Sequence, residues 1–160
     1  MRIRSFVDSD LPTLVELTIE TFGPFYEGYV REVMGEAVFA HQHGHWAQDY
    51  RDDVPTLYNP AAGKHVAVAE VDDSIAGYVA WRPGERPRSG EIYLLAVRAS
   101  QRRQHVGRDL CEYAIAAMKA DGAEVVSIGT GGDDFHAPAR AFYESLGCVK
   151  LPVAVYFREL

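Results

Sequence analysis

Four arginines, Arg98, Arg102, Arg103 and Arg108, fall within eleven residues that contain no acid. They belong to the stretch Leu95-Ala96-Val97-Arg98-Ala99-Ser100-Gln101-Arg102-Arg103-Gln104-His105-Val106-Gly107-Arg108, whose pattern runs from an apolar strand through a short loop into an amphipathic helix. The opening turn of a helix carries unpartnered N–H groups and the positive end of the macrodipole. Arginines added there make a cradle for a pyrophosphate or similar anion. Without an anion they would oppose the dipole, which weighs against their being mere solvated surface. Gly107, having no Cβ, lets an anion or a neighbouring backbone come close. Glu91 is the one charge at the start of the otherwise apolar strand that feeds this segment. Burial there would raise its pKa toward neutrality and suit it to general-base work, whereas a strand end reaching water would leave it an ordinary surface acid.

Other chemistry-bearing residues are less pointed. His41, His43 and His45 have the spacing of a metal tract on a strand, and His41, His45 and Asp49 that of one on a helix. Gly44 weakens the helix, no cysteine lies near, and no metal is expected. Thr130-Gly131-Gly132-Asp133-Asp134 is glycine-rich but lacks the Lys-Ser/Thr of a nucleotide-binding P-loop, so it reads as a crossover loop. Cys111 and Cys148 are too few for a disulfide framework, lack ligand spacing, and have no evident base to make either a nucleophile.

The elements that must position these groups follow from periodicity. Residues 2–7 read as a first strand, then a helix from about Ser9 with Leu11, Leu14, Val15, Thr18 and Phe22 on one face, which Gly23-Pro24 ends. Residues 25–60 are helical in part, broken at Gly28, Gly35 and Gly44. Residues 64–71 and 74–81 alternate as a hairpin about Asp72-Asp73, and residues 91–97 form a buried central strand. Val106, Leu110, Tyr113, Ala114, Ala117 and Met118 recur at helical spacing up to Asp121-Gly122. A strand at 124–129, a short helix from about Ala137 to Gly147 and a closing strand at 151–158 complete the order. The expectation is one α/β domain over residues 1–160, an α+β arrangement with a mixed sheet flanked by helices.

Composition narrows the class. The chain has 160 residues, 48% hydrophobic and 24% charged, as a soluble globular domain does. No apolar run reaches a membrane span, and the N-terminus lacks a secretory pattern, so a reduced, cytoplasmic protein without membrane partners is expected. The net charge of −7 argues against general nucleic-acid binding. It is unevenly spread: residues 1–80 sum to −8 and residues 81–160 to +1. One chain thus offers a local anion site and a broad acidic field suited to a cation, although charge of that kind also serves solubility.

Two blocks carry a family resemblance. Arg102-Arg103-Gln104-His105-Val106-Gly107 resembles the signature Arg/Gln-x-x-Gly-x-Gly/Ala that follows the fourth strand in the GNAT superfamily of acyl-CoA N-acyltransferases, with His105 where the first glycine is usual. Ala139-Arg140-Ala141-Phe142-Tyr143-Glu144-Ser145-Leu146-Gly147-Cys148 resembles that family's late helix, and His136 stands where its asparagine is usual. The resemblance implies a mostly antiparallel mixed sheet whose fourth and fifth strands splay. The pantetheine arm of acetyl-CoA, the implied cosubstrate, enters that gap and pairs with the backbone of Leu95 and Val97, next to Ala96. It implies that the amides of Arg102, Arg103, Gln104, His105, Val106, Gly107 and Arg108 hold the pyrophosphate, that His136 and Tyr143 also meet the cofactor, and that Tyr143 protonates the departing thiolate. Some members place a carboxylate at the strand position of Glu91.

The implied reaction is direct transfer of an acetyl group to an amine, with the amide of Leu95 or Val97 polarising the thioester carbonyl. The early aromatics Phe22, Phe25, Tyr26, Tyr29, Trp46 and Tyr50 are at helical spacing, which by itself indicates core; the resemblance implies an acceptor site there. Ten acids against two arginines between Asp8 and Asp53 suit a cationic small-molecule amine. A homodimer pairing residues 151–158 fits the pattern as well. The competing reading is a non-catalytic acyl-CoA-binding sensor or protein-interaction module.

Overall fold

Alternating β-branched and apolar residues build five strands into one sheet: β1 (Arg2–Ser5), β2 (His65–Val71), β3 (Ser74–Pro83), β4 (Ser89–Val97) and β5 (Val125–Ile128), in the spatial order β1-β2-β3-β4-β5. The computed structural model describes residues 1–160. Pairs β1–β2, β2–β3 and β3–β4 are antiparallel and β4–β5 is parallel. The helices are α1 (Leu11–Pro24), α2 (Arg31–Met34), α3 (Glu36–His43), α4 (Trp46–Asp53), α5 (Val106–Ala120) and α6 (Ala137–Ser145), as the mixed helix-and-sheet pattern of the sequence requires. The chain divides into two compact units, Met1–Thr21 with Ala47–Ile128, and Phe22–Trp46 with Gly129–Leu160.

The first unit holds the sheet. Val106, Leu110, Ala114 and Met118 recur every fourth residue, so α5 presents one apolar stripe, and all four are buried. The stripe packs against β3, β4 and β2. Gly77 permits a close approach: a Cβ there would lie 2.8 Å from the Ala96 carbonyl oxygen and 3.3 Å from Leu110 Cδ1. From α1, Leu14, Leu17 and Thr18 are buried. Each fully buried leucine contributes about 2 kcal/mol of apolar transfer free energy. Thr18 donates to the Leu14 carbonyl and accepts from the Tyr78 phenol, so that buried hydroxyl is satisfied. Burial pushes the phenol pKa up, which keeps it a donor.

Arg4 ties β1 to the turn before α1. Its guanidinium meets both oxygens of Asp10, at 2.7 and 2.9 Å, and also Glu70 on β2 at 2.7 Å. Asp10, 6% exposed, also accepts the Val7 N–H. The hydrogen bonds from Arg4 hold its carboxyl below the usual carboxylate range despite burial.

In the second unit Gly23-Pro24 does not end the helix, contrary to the sequence expectation. Proline removes one N–H, and the chain widens into a π-helical stretch, Phe25–Val30, that runs on into α2. The true break is Gly35, whose φ of 74° belongs to the left-handed region. The expected closing strand at 151–158 is also absent. Residues 149–160 have no regular structure and are exposed. Alternation alone does not make a strand: it needs a partner edge, and Pro152 removes one donor from any ladder.

Candidate functional site

The open side of β4 is where the first unit departs from regular pairing. β5 matches β4 only from Ser89↔Val125 to Ile92↔Ile128. Beyond that point β4 continues against β3 alone, with Leu94↔Ala80, Leu95↔Val79, Ala96↔Tyr78 and Val97↔Gly77. The departure coincides with a bulge. Trp81 faces Ile92 while Ala80 faces Leu94, so Tyr93 has no opposite residue. A bulge bends its strand and raises the local twist, which here turns β4 out of line with its parallel neighbour. The groups on that side of residues 93–97 have no strand to satisfy them, an arrangement suited to an extended ligand that supplies its own amides.

The arginine segment follows at once. Ala99–Gln101 is a single 3-10 turn and α5 starts at Val106. Asp109 makes the first bond of the helix, to the His105 carbonyl, and the Val106 and Gly107 amides have no carbonyl partner. These are the donors expected to face an anion. Two residues of the loop are left-handed, Arg103 at φ 62° and His105 at φ 65°. The second of these is where the signature has glycine, and its backbone explains why. Gly107 is not demanded by its neighbours, because a Cβ would sit 3.7 Å from Val97 and 4.0 Å from Leu95, ordinary contact.

The four arginines divide their work. Arg98 is structural: its Nε donates to the Ile75 carbonyl at 2.9 Å and its NH1 reaches Glu20 at 3.3 Å. Arg102 lies back on the Val97 carbonyl at 3.4 Å, and Arg108 pairs with Glu112 at 3.3 Å. Arg103 is exposed. Gln104 donates to the Ser100 carbonyl and holds the loop.

Glu91 sits half-buried and paired, not alone in an apolar setting. Arg82 Nε lies 2.7 Å from its Oε2, and the same guanidinium stacks 4.1 Å over the Tyr93 ring. The Tyr93 hydroxyl donates to Asp53 Oδ2 at 3.1 Å. Burial raises the Tyr93 pKa, and the Asp53 charge adds to it. Sequence reasoning missed this chain of contacts, since only the fold brings β3, β4 and the end of α4 together.

His136 and Tyr143 lie in the second unit, His136 as the cap of α6 and Tyr143 seven residues on, beside Phe142. His136 is not alone. Its Nδ1 lies 2.8 and 3.0 Å from the two oxygens of Asp133, and its backbone N–H donates to Asp133 Oδ1 at 3.0 Å. Burial raises the Asp133 pKa, but the bonds from His136 outweigh it and hold the carboxyl below its usual range. An aspartate three residues before a helical cap was the available signal for this pair. The early aromatics cluster in the same unit: Phe25 contacts Tyr26, Tyr29, Phe135 and His136, and Tyr26 stacks on Trp46 at 5.2 Å. The histidine tract does not converge. His43 packs on Tyr26 and Phe39, His41 meets Gln42, and no three metal-ligating side chains come together. Cys111 is buried and Cys148 exposed, and neither is in a disulfide.

Residues 19–148 match the model of the acetyltransferase (GNAT) family. The chain belongs to that family. Solved GNAT structures share its fold at low identity. The aminoglycoside acetyltransferase meta-AAC0020 from an uncultured soil metagenomic sample, in complex with sisomicin, is 22% identical, with a TM-score of 0.62 over 99% of this chain and 95% of that one. AAC(6')-Iy, in complex with the bisubstrate analogue CoA-S-monomethyl-acetylneamine, is 13% identical, with a TM-score of 0.69 over 99% and 97%. The aminoglycoside 6'-N-acetyltransferase AAC(6')-IG from Acinetobacter haemolyticus is 15% identical, with a TM-score of 0.69 over 100% and 99%. No curated protein matches the chain. As a GNAT acetyltransferase it is an acyltransferase, with a five-stranded mixed sheet to carry the reaction.

Proposed function

We propose that this GNAT chain transfers an acetyl group from acetyl-CoA directly to a primary amine of a cationic small molecule. The observation that carries the reading is the unpaired side of β4 after Ile92, continuous with the free amides of Val106 and Gly107 at the start of α5. An amide-bearing arm and a diphosphate fit those two features in that order. Leu95, Ala96 and Val97 would hold the arm by backbone bonds, and residues 102–108 the diphosphate, with Arg102 and Arg103 supplying charge. The thioester supplies an activated acyl carbon; the chain's residues orient it and move protons. An ammonium has no free lone pair, so a base must deprotonate the acceptor, and Glu91 acting through water is one source of that base. Tyr143 gives its proton to the departing thiolate. Neither cysteine is in a disulfide, and the sequence sets no base beside either, which favours direct transfer over an acyl-enzyme. The two cysteines also suit the cytoplasmic location expected from the sequence.

The acidic early region and its aromatic rings favour a cationic acceptor, and neighbouring structures of this fold hold aminoglycosides or a CoA-linked one. The test is thiol release from acetyl-CoA in the presence of a panel of amines. Amine-dependent release is expected; binding of acetyl-CoA with no release for any amine would favour a sensor. Replacing Arg102 and Arg103 together by alanine should weaken acetyl-CoA binding by about 10-fold in calorimetry, the scale of two charge-assisted contacts. Equal affinity would remove the anion cradle from the mechanism.

A further inference from the structure

We propose that Tyr93, held in place by Asp53 and Arg82, closes the end of the acyl groove, so that the chain takes acetyl or propionyl groups and rejects long ones. The inference rests on the acyl-CoA reading above, and every residue it uses belongs to the first unit. The order of features along β4 sets where the acyl group falls. A diphosphate at the Val106 and Gly107 amides stands beside the far end of β4, because the space next to Gly107 is bounded by Val97 and Leu95. An arm that leaves it along β4 runs back from Val97 toward Ile92. There the groove closes, since β5 pairs with β4 from Ile92↔Ile128 back to Ser89↔Val125. The tip of the arm, which carries the acyl group, therefore stops at residue 93.

That position holds the extra residue of the bulge, which has no opposite on β3. A bulge re-aims the side chain it carries, and here the side chain is a ring fixed at two points. The Arg82 guanidinium lies 4.1 Å from the ring centroid, and Arg82 is itself held by Glu91 at 2.7 Å. At the other end the phenol donates to Asp53 Oδ2 at 3.1 Å. Burial and the Asp53 charge push the phenol pKa up, so it keeps its proton and with it that bond. A ring held at its face and at its tip has little rotamer freedom left to lose, and little with which to make way.

Nor can the ring retreat. The cavity that it lines together with Asp53, Leu57, Ala80 and Arg82 has a volume of about 20 Å³, room for one water. Leu57 and Ala80 are buried there, 6% and 1% exposed. Tyr93 itself keeps 38% of its surface open, the surface left for a ligand to meet. A short acyl group stops before the ring. Each further methylene has to bend out of the groove into water or force a clamped side chain aside.

The test is calorimetric titration of the full chain with coenzyme A, acetyl-CoA, propionyl-CoA, butyryl-CoA and hexanoyl-CoA. Wild-type protein should bind acetyl-CoA and propionyl-CoA at least about 10-fold more tightly than hexanoyl-CoA, the response of a closed pocket to excess methylenes. Tyr93→Ala should bring acetyl-CoA and hexanoyl-CoA to within about 2-fold of each other, a small residue of discrimination on the same scale. Tyr93→Leu removes the ring with less loss of packing and should relax the ratio likewise, so the decision does not depend on the alanine variant folding. Asp53→Ala cuts the tether while leaving the ring, and should lower the ratio part-way. A merely structural role would weaken every thioester together and leave the ratio as it was. An unchanged ratio in Tyr93→Leu or in Asp53→Ala overturns the proposal, and so does equal binding of all four thioesters by wild-type protein. If wild-type protein binds neither coenzyme A nor any thioester, the acyl-CoA reading falls and takes this one with it; if it binds all of them alike, only the end stop falls.

Discussion

His105 holds a left-handed backbone immediately before α5, where an L side chain crowds its own carbonyl. Histidine tolerates this better than a branched residue does, yet the strain persists. His105→Gly should therefore raise unfolding stability by about 1 kcal/mol, read as a higher urea midpoint with an unchanged m-value, without weakening acetyl-CoA binding. Thr18 offers the opposite case. Thr18→Val would leave the buried Tyr78 hydroxyl without an acceptor and should cost about 2 kcal/mol by the same measurement. The arginine-bearing turn into α5 was legible at this scale because helix termini and arginines leave a signature in types and spacing. The partners of Glu91 and Tyr93 were not, since Arg82, Asp53 and Tyr93 are far apart in sequence and meet only across the sheet.

Among the elements, the joint of β1 with the turn before α1 depends on ionisation. Asp10 has a folded pKa below its ordinary 3.8, so the stability it contributes is complete above that value and is lost as pH falls through the folded one. Asp10→Asn should flatten the acid side of the stability curve, measured by thermal unfolding between pH 2 and pH 5. A wild-type slope in the variant would assign the dependence to other acids. The strands, α5 and α6 were readable because each has one clean period and a clear stop. The run through Pro24 was not: a proline announces a lost donor, and only the packing of Phe25–Val30 shows that the helix widens past it. The closing strand failed for a related reason, since its alternation is real but a strand exists only through its neighbour.

For the molecule as a whole, the sequence carried the family and the mixed sheet, while the acceptor depends on surfaces that no motif describes. Residues 149–160 bring Val149, Leu151, Val153, Val155, Tyr156 and Phe157 into solvent. Such a segment invites pairing with a second copy. Light scattering should find a mass that grows with concentration, and removing residues 149–160 should abolish that growth; a concentration-independent mass in the intact chain would show the segment to be inert. The parting of β4 from β5 at Ile92 has a kinetic counterpart. Amides of residues 93–97 that point away from β3 are left to trade their hydrogens with deuterated water quickly, beside slow neighbours locked between two strands. A thioester lying along that margin would act as a temporary sixth strand, and the quick amides would fall silent in step with its occupancy.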